Sequence, residues 1–352
     1  MIRALSRWFL ASRRDLPWRT PPGEPRDPYL VLVSETMLQQ TQVSRVIEKF
    51  TRFAARFPTV QSLAAAPIDD VLALWSGLGY YRRARNLHAA AQQIVSRFNA
   101  VVPRSVDDLL TLPGVGRYTA GAIASIAHAN PAPAVDGNIQ RVLMRLEGID
   151  LPPDDRAAQA RVWDTAAALV RTAPDPGAWT EALMELGATV CIPKSPRCGD
   201  CPIADHCAAR ARGEQHRIPA PKRRRAPSEV FHAVALVRDS KGRVLLEQRG
   251  ASGMWAGLWQ PPTIETDAAW PSAAELKSAL GLRAARALED FIFQTTHRTV
   301  RVRVFAAAAD KPRRGEFVAP VRFESLGLSS LASRILSIDP APRAPKRPLT
   351  PR

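Results

Sequence analysis

Cysteine is scarce in this sequence. The 352-residue chain has four, all within residues 191–207. Long apolar runs are missing as well. No stretch reaches the ~20 apolar residues of a membrane span, and the opening MIRALSRWFLASRR has too short an apolar run for a signal peptide. The expected compartment is the cytoplasm, whose reducing conditions do not sustain structural disulfides. Acidic residues are outnumbered, with Asp+Glu at 33 against Lys+Arg at 49 and a formal charge of +16. That balance favours a polyanionic partner, nucleic acid ahead of a membrane surface, although a generally basic proteome gives the same charge. No internal repeat is present. What the chain has in quantity is apolar residues, 46% of the total, enough for two substantial cores.

From residue 6 to about 212 apolar residues recur at three and four, as in VIEKFTRFAARF, IDDVLALWSGLGYYRRARNLHAAAQQIVSRF and RVWDTAAALVRTA, with Pro and Gly between the segments. This predicts an all-helical domain over 1–213. HRIPAPKRRRAPSE reads as a basic linker over 214–228. The period then changes. HAVALVRDSKGRVLLEQR reads as two strands joined by an Asp-Ser-Lys-Gly turn, FIFQTTHRTVRVRVFAA alternates again, and SAAELKSAL between them suits a helix. The expectation is an α domain followed by an α/β domain over 229–335, then a disordered Pro-rich basic tail over 336–352.

The cysteines are separated by six, two and five residues: Cys191, Cys198, Cys201 and Cys207. In a reducing compartment such close thiolates point to metal rather than disulfides. Zinc usually takes two CxxC-like pairs, and only one is present, whereas four thiolates on one short loop suit a [4Fe-4S] cluster. No flavin or second-cluster motif accompanies it, so a structural role is the economical one, with Lys194 and Arg197 on the same loop.

In LLTLPGVGRYTAGAIASIA, residues 109–127, a helix ends, Pro113-Gly114-Val115-Gly116 turns the chain, and a small-residue helix follows. Two glycines permit a tight turn and bare backbone N–H groups beside a helix N-terminus, a site for a phosphate. A lone GxG would support only an ordinary helix–helix turn. This stretch matches a helix-hairpin-helix over its whole length, the device of non-sequence-specific DNA backbone binding.

VSETMLQQTQV, residues 33–43, sets one carboxylate, Glu35, among apolar and uncharged hydrogen-bonding groups. Desolvation there raises a carboxyl's pKa and keeps it a usable acid. Further on, Asp136-Gly137-Asn138 before an apolar helix is a good N-cap signature.

Taken in order, the hairpin, the acid in AVDGNIQRV and the four-cysteine loop resemble the endonuclease III superfamily of DNA glycosylases. SETMLQQTQV, GLGYYRRARNL, PGVGRYTAGAI and AVDGNIQRVL are similar to the adenine DNA glycosylases of the MutY type. The resemblance runs strongly from about residue 16 to 207 and more weakly beyond. It implies a monomer acting on double-stranded DNA that holds adenine opposite 8-oxoguanine or guanine. Glu35 would protonate N7 of the flipped adenine and then activate water, while an ionised Asp136 would stabilise the sugar cation. Tyr118 and Asn138 would hold these groups. Relatives that also cut the strand carry a Schiff-base lysine where Tyr118 stands, so a glycosylase without lyase chemistry is implied. Gln40 and Tyr80 would fill the hole left by the flipped base, and Arg19 and Glu181 would surround the adenine.

VALVRDSKGRVLLEQRGASGMWAGLWQPP resembles the Nudix-like C-terminal domain of the same family. A catalytic Nudix domain needs a Glu-rich REUxEE helix (U, bulky apolar) for Mg²⁺, which is lacking here, so recognition rather than hydrolysis is expected. The family reads 8-oxoguanine with a Phe-Ser-His loop. The corresponding stretch is Thr295-Thr296-His297, which keeps a hydroxyl and the imidazole and loses the aromatic ring. The alternatives are a thymine or uracil mismatch glycosylase of the same fold and a non-catalytic iron–sulfur DNA-binding protein.

Overall fold

The computed structural model describes residues 1–222, 227–309 and 312–339. The chain divides into two compact units: Met1–Ala66 with Arg83–Arg224, and Pro67–Arg82 with the chain from Arg225 onward. Of the expected linker, residues 223–226 lie outside the described residues, as do residues 340–352 of the expected tail.

The helices in chain order are α1 (Ile2–Ser12), α2 (Pro28–Leu38), α3 (Val43–Arg56), α4 (Val60–Ala64), α5 (Ile68–Leu74), α6 (Arg82–Arg97), α7 (Val106–Leu110), α8 (Arg117–His128), α9 (Gly137–Glu147), α10 (Arg156–Arg171), α11 (Pro176–Thr189) and α12 (Ala208–Ala211). All but α5 build the first unit. Local chemistry sets their ends. Asp27 caps α2 ahead of Pro28, Asp155 caps α10, and Asp175 caps α11 ahead of Pro176, each side chain accepting from first-turn N–H groups. Helix α3 shows the usual one-sided burial, through Val46, Phe50 and Phe53. Helix α2 is apolar almost all round and is buried almost all round. One core joins Leu5 and Phe9 of α1 to Leu143, Val162, Trp179 and Leu186, and Cys191, Cys201 and Cys207 pack against it.

The long periodic stretch over 68–98 does not form one helix. It breaks between α5 and α6, where Gly77 (φ +91°), Gly79 (φ +71°) and Tyr80 (φ +47°) adopt left-handed backbone. Part of the expected linker is also not free chain: Ile218 is buried in the helical core, and its carbonyl accepts from Arg145 Nε at 2.9 Å.

In the second unit, β1 (Ser228–Val237), β4 (Thr263–Thr266), β5 (Ala284–Gln294) and β6 (Arg298–Ala308) form a sheet of order β4-β1-β6-β5, with β1 and β6 parallel and the other pairs antiparallel. A smaller sheet is β3-β2-β7, from Trp259–Gln260, Val244–Gln248 and Glu316–Val318. The two strands expected on either side of the Asp-Ser-Lys-Gly turn therefore exist, but they enter different sheets, joined by one isolated bridge at Arg238 and Val244. Alternate residues of β1 feed two cores. Val230, Val234 and Leu236 meet α14 (Ser330–Leu336), and Ala233, Ala235 and Val237 meet α13 (Ala273–Leu280). Residues 67–82 join this unit through Tyr81, whose hydroxyl donates to Leu328 O at 2.7 Å, and Gln248, which donates to Asp69 Oδ1 at 3.2 Å.

Candidate active site

A cavity of about 510 Å³ opens in the helical unit, lined from α2, α8, α9, α11 and the irregular segment after α1. Glu35, Tyr118, Asp136, Asn138, Arg19, Glu181 and Gln40 all line it. Seven residues dispersed over 163 positions thus share one concavity.

Glu35 is 5% exposed, and burial pushes its carboxyl up to about 7. Asp136 and Glu181 push the same way, while the Tyr118 hydrogen bond and Arg19 oppose. The Tyr118 hydroxyl donates to Glu35 Oε2. Burial, together with Glu35 and Asp136, holds that phenol well above its ordinary value, so it remains a donor at any working pH.

Asp136 is the N-cap its sequence suggested, and it also lines the cavity. As N-cap of α9 its Oδ1 accepts from Ile139 N at 2.7 Å, while its Oδ2 accepts from Asn138 Nδ2 at 3.2 Å and the residue faces the cavity. Burial is the dominant influence on its pKa and raises it, against the Ile139 and Asn138 hydrogen bonds and the Arg141 charge. Asn138 is held from behind: its Oδ1 accepts from Arg141, whose guanidinium also donates to Gly187 O at 2.7 Å and Cys191 O at 2.8 Å. A Cβ at Gly187 would lie 2.7 Å from Asn138 Cβ, so glycine is what lets α11 approach α9 here.

The side chains of Arg19 and Glu181 are both buried. Arg19 Nε lies 3.4 Å from Glu181 Oε1, and Arg26 takes the other oxygen at 2.6 Å. Gln40 sits at the exposed end of the cavity lining in left-handed backbone (φ +55°). Arg83 fixes that bend by donating to the carbonyls of Thr36, Met37 and Gln39, which α2 leaves unpaired at its C-terminus.

In the hairpin turn only Gly114 needs glycine's freedom. It has φ +77°, and a Cβ there would lie 2.6 Å from Asn86 Cβ. Gly116 is extended (φ −95°) and faces open space, and Val115 is buried. The preceding helix, α7, ends at Leu110.

The four cysteines ring a common small cavity with Arg145 and Arg210. Among the described residues, the side chains lining it include four thiols and no imidazole or carboxylate, a donor set that fits an iron–sulfur cluster. Arg145, 3% exposed, donates to Cys191 Sγ at 3.3 Å and to Ile192 O and Pro193 O. Arg197 donates to Thr189 O at 2.8 Å, and Lys194 is exposed on the same loop.

In the second unit, Thr296 and His297 are exposed at the β5–β6 turn. Thr295, which stands where an aromatic was expected, closes that turn: its hydroxyl bonds Arg298 O at 3.0 Å and accepts from Arg298 N at 2.9 Å. The Tyr80 hydroxyl bonds the Thr296 hydroxyl.

Sequence reasoning missed Arg14, Arg26, Arg83, Arg141, Arg145 and Glu185. One signal was available: Glu181 and Glu185 lie one turn apart on a helix that is otherwise apolar. The buried arginines left no such mark in an arginine-rich chain.

Fold and site together place the protein in the helix-hairpin-helix class, with the carboxyl groups of Glu35 and Asp136 in one cavity. The chain matches the HhH-GPD superfamily base excision DNA repair protein family over residues 33–167, the iron-sulfur binding domain of endonuclease III over 191–207 and the NUDIX domain over 233–337. It is 39% identical over 325 residues to the adenine DNA glycosylase of Rattus norvegicus, covering 79% of this chain and 62% of that protein. It is 47% identical over 207 residues to that of Mycolicibacterium smegmatis, covering 58% and 68%, and 33% identical over 260 residues to that of Buchnera aphidicola from Schizaphis graminum, covering 74% and 73%. The helical part is similar to a thermostable thymine-DNA glycosylase, with TM-score 0.52 and 25% identity, covering 60% of this chain and 95% of that one. The chain belongs to the adenine DNA glycosylase family. It spans 57–62% of the length of its mammalian relatives. No described helix is long and apolar enough to cross a membrane.

Proposed function

We propose that the protein is a monofunctional DNA glycosylase that hydrolyses the N-glycosidic bond of adenine opposite 8-oxoguanine or guanine in double-stranded DNA, acting as a cytoplasmic monomer. The observation that carries this reading is a buried carboxyl poised near 7, Glu35, in the same cavity as a second carboxyl group, Asp136, the N-cap of α9. Protonated Glu35 gives its proton to N7 as the C1′–N9 bond breaks and its electron pair passes to the base. Adenine leaves neutral, and Glu35 is left as carboxylate. Asp136, opposite in charge to the sugar cation, lowers the energy of that ion. Water adds at C1′ and surrenders a proton to Glu35, which returns to its starting form. No amine stands at residue 118 to attack the sugar, so the product is an abasic site in an intact strand.

Gly114, Val115 and Gly116 would receive a DNA phosphate, with Lys194 and Arg197 adding charge from the cysteine loop. When bound, an iron–sulfur cluster would supply the core that orders this loop, held by Cys191, Cys198, Cys201 and Cys207. Gln40 and Tyr80 would fill the helix vacated by the flipped base. Thr296 and His297 would read the N7–H and O8 edge that distinguishes 8-oxoguanine from guanine. The test is single-turnover incubation with duplexes carrying each base opposite guanine or 8-oxoguanine, then alkali. Cleavage at adenine alone, favoured opposite 8-oxoguanine and narrowed by joint Thr296→Ala and His297→Ala substitution, is expected. Release of thymine or uracil instead, or cleavage without alkali, refutes the reading.

A further inference from the structure

We propose that Glu185 is a positioning residue that fixes Arg14 and Arg19, and with them residues 14–19, as one wall of the base cavity. The proposal deepens the glycosylase reading and rests on it for its kinetic consequence.

Glu185 is 1% exposed, and its side chain has no contact with solvent. Its Oε1 accepts from Arg14 N at 3.1 Å and Arg14 Nε at 2.7 Å, and its Oε2 accepts from a terminal nitrogen of Arg14 and one of Arg19, each at 2.9 Å. A carboxylate removed from water is costly unless its lone pairs are filled by charged donors. Here four bonds fill them. Burial works to raise its pKa, yet the two guanidiniums hold it below the ordinary range.

The partners are not remote ballast. Arg14, Arg19, Glu181 and Glu185 all line the cavity that holds Glu35, and Leu16 and Trp18 line it from between the arginines. Residues 13–19 contain no helix or strand, and their backbone bonds are local: Arg13 N to Phe9 O and Arg19 N to Leu16 O. The bond from Arg14 N to Glu185 therefore ties the backbone of the segment to α11. Glu185 also decides where the charge of Arg19 rests. The guanidinium divides between Glu185 at 2.9 Å and Glu181 at 3.4 Å, and it is stacked 5.3 Å over the Phe9 ring. Arg19 is one of four groups facing Glu35, with Tyr118, Asp136 and Glu181. A neutral residue at 185 removes a counter-charge from Arg19, and its field on Glu35 then favours the carboxylate.

The test uses the full chain loaded with its cluster, as Glu185→Gln, which keeps the shape but sets a donor NH₂ against guanidinium donors. Three results are expected. Single-turnover adenine excision falls about ten- to a hundredfold, the scale of a lost charged hydrogen bond. Duplex affinity changes less than threefold, and the alkaline limb of the pH–rate profile moves to lower pH. Trypsin cuts within residues 13–26 faster than in wild type, a readout that needs no activity. If Glu185→Gln melts early, Arg14→Gln, at a partly exposed side chain, takes its place with the same expected loss of rate and faster cutting, but with the alkaline limb moving to higher pH, because Glu185 then neutralises Arg19 alone. A variant with a lower melting temperature but unchanged rate, pH profile and tryptic pattern in its folded fraction overturns the proposal. Wild type that releases no adenine refutes the glycosylase reading instead, and the tryptic comparison still decides the anchoring.

Discussion

Replacing Glu35 with Gln separates catalysis from folding through opposite signs. The carboxyl is raised from 4.5 to about 7, chiefly by burial. A carboxylic acid shifted upward contributes no penalty below its unfolded pKa. As pH rises from about 4.5 through about 7, the folded state must either hold the proton or bury a charge, and stability is lost. At about 1.4 kcal/mol per pKa unit, the ionised group costs the fold on the order of 3 kcal/mol above pH 7. Gln has no such penalty and still presents an oxygen to the Tyr118 hydroxyl. Glu35→Gln should therefore match wild type near pH 5 and exceed it at pH 8.5. The difference corresponds to about 2–4 °C in melting temperature per kcal/mol in a domain of this size. Excision should meanwhile drop by about 10²–10⁴-fold, because the donor proton is gone. Melting curves at the two pH values, with single-turnover excision alongside, make the assay. Equal pH dependence in wild type and variant would mean that Glu35 is not a buried acid near 7.

Asp136→Asn keeps a side chain that can accept from Ile139 N, so melting should move by no more than a few tenths of a kcal/mol in equivalent stability while excision collapses; retained excision would leave Asp136 as a cap alone. Gly114→Ala should cost about 1–2 kcal/mol and weaken DNA binding, since it combines left-handed backbone with a 2.6 Å approach to Asn86, whereas Gly116→Ala faces open space and should leave melting unchanged. Iron analysis should find about four irons per chain and absorbance near 400 nm, and Cys201→Ser should lower both; one zinc and no colour would overturn the cluster. Arg141→Ala should slow excision while DNA affinity holds, since Asn138 loses its brace; an unchanged rate would show that Asn138 needs none.

Several features were fixed by composition and order alone, because they depend on local rules. Helical spacing, the change to strand period and Pro and Gly punctuation act within a few residues, and they foretold a helical domain followed by a strand-bearing one. Four cysteines in seventeen residues fix a metal-binding loop regardless of the remaining fold. Glu35 could be read as an acid with a raised pKa because its own helix is apolar, and a helix with no polar face must be buried. Where local pattern and long-range packing diverge, the reading fell short. The stretch over 68–98 has helical period, yet three left-handed residues break it and residues 67–82 pack with the second unit. The strands flanking Asp239 share a turn but enter different sheets, because a partner strand is chosen by the whole sheet.

The tertiary structure alone decided the electrostatics of the cavity. Glu185 meets Arg14 across 171 residues and Arg19 across 166, and Tyr118 meets Glu35 across 83. An arginine in a chain with many arginines carries no mark of burial, and an acid on a helix carries none of its partner. Only the fold removes these charges from water, and it is that removal, through desolvation and the pairing it compels, that gives each its strength and its pKa.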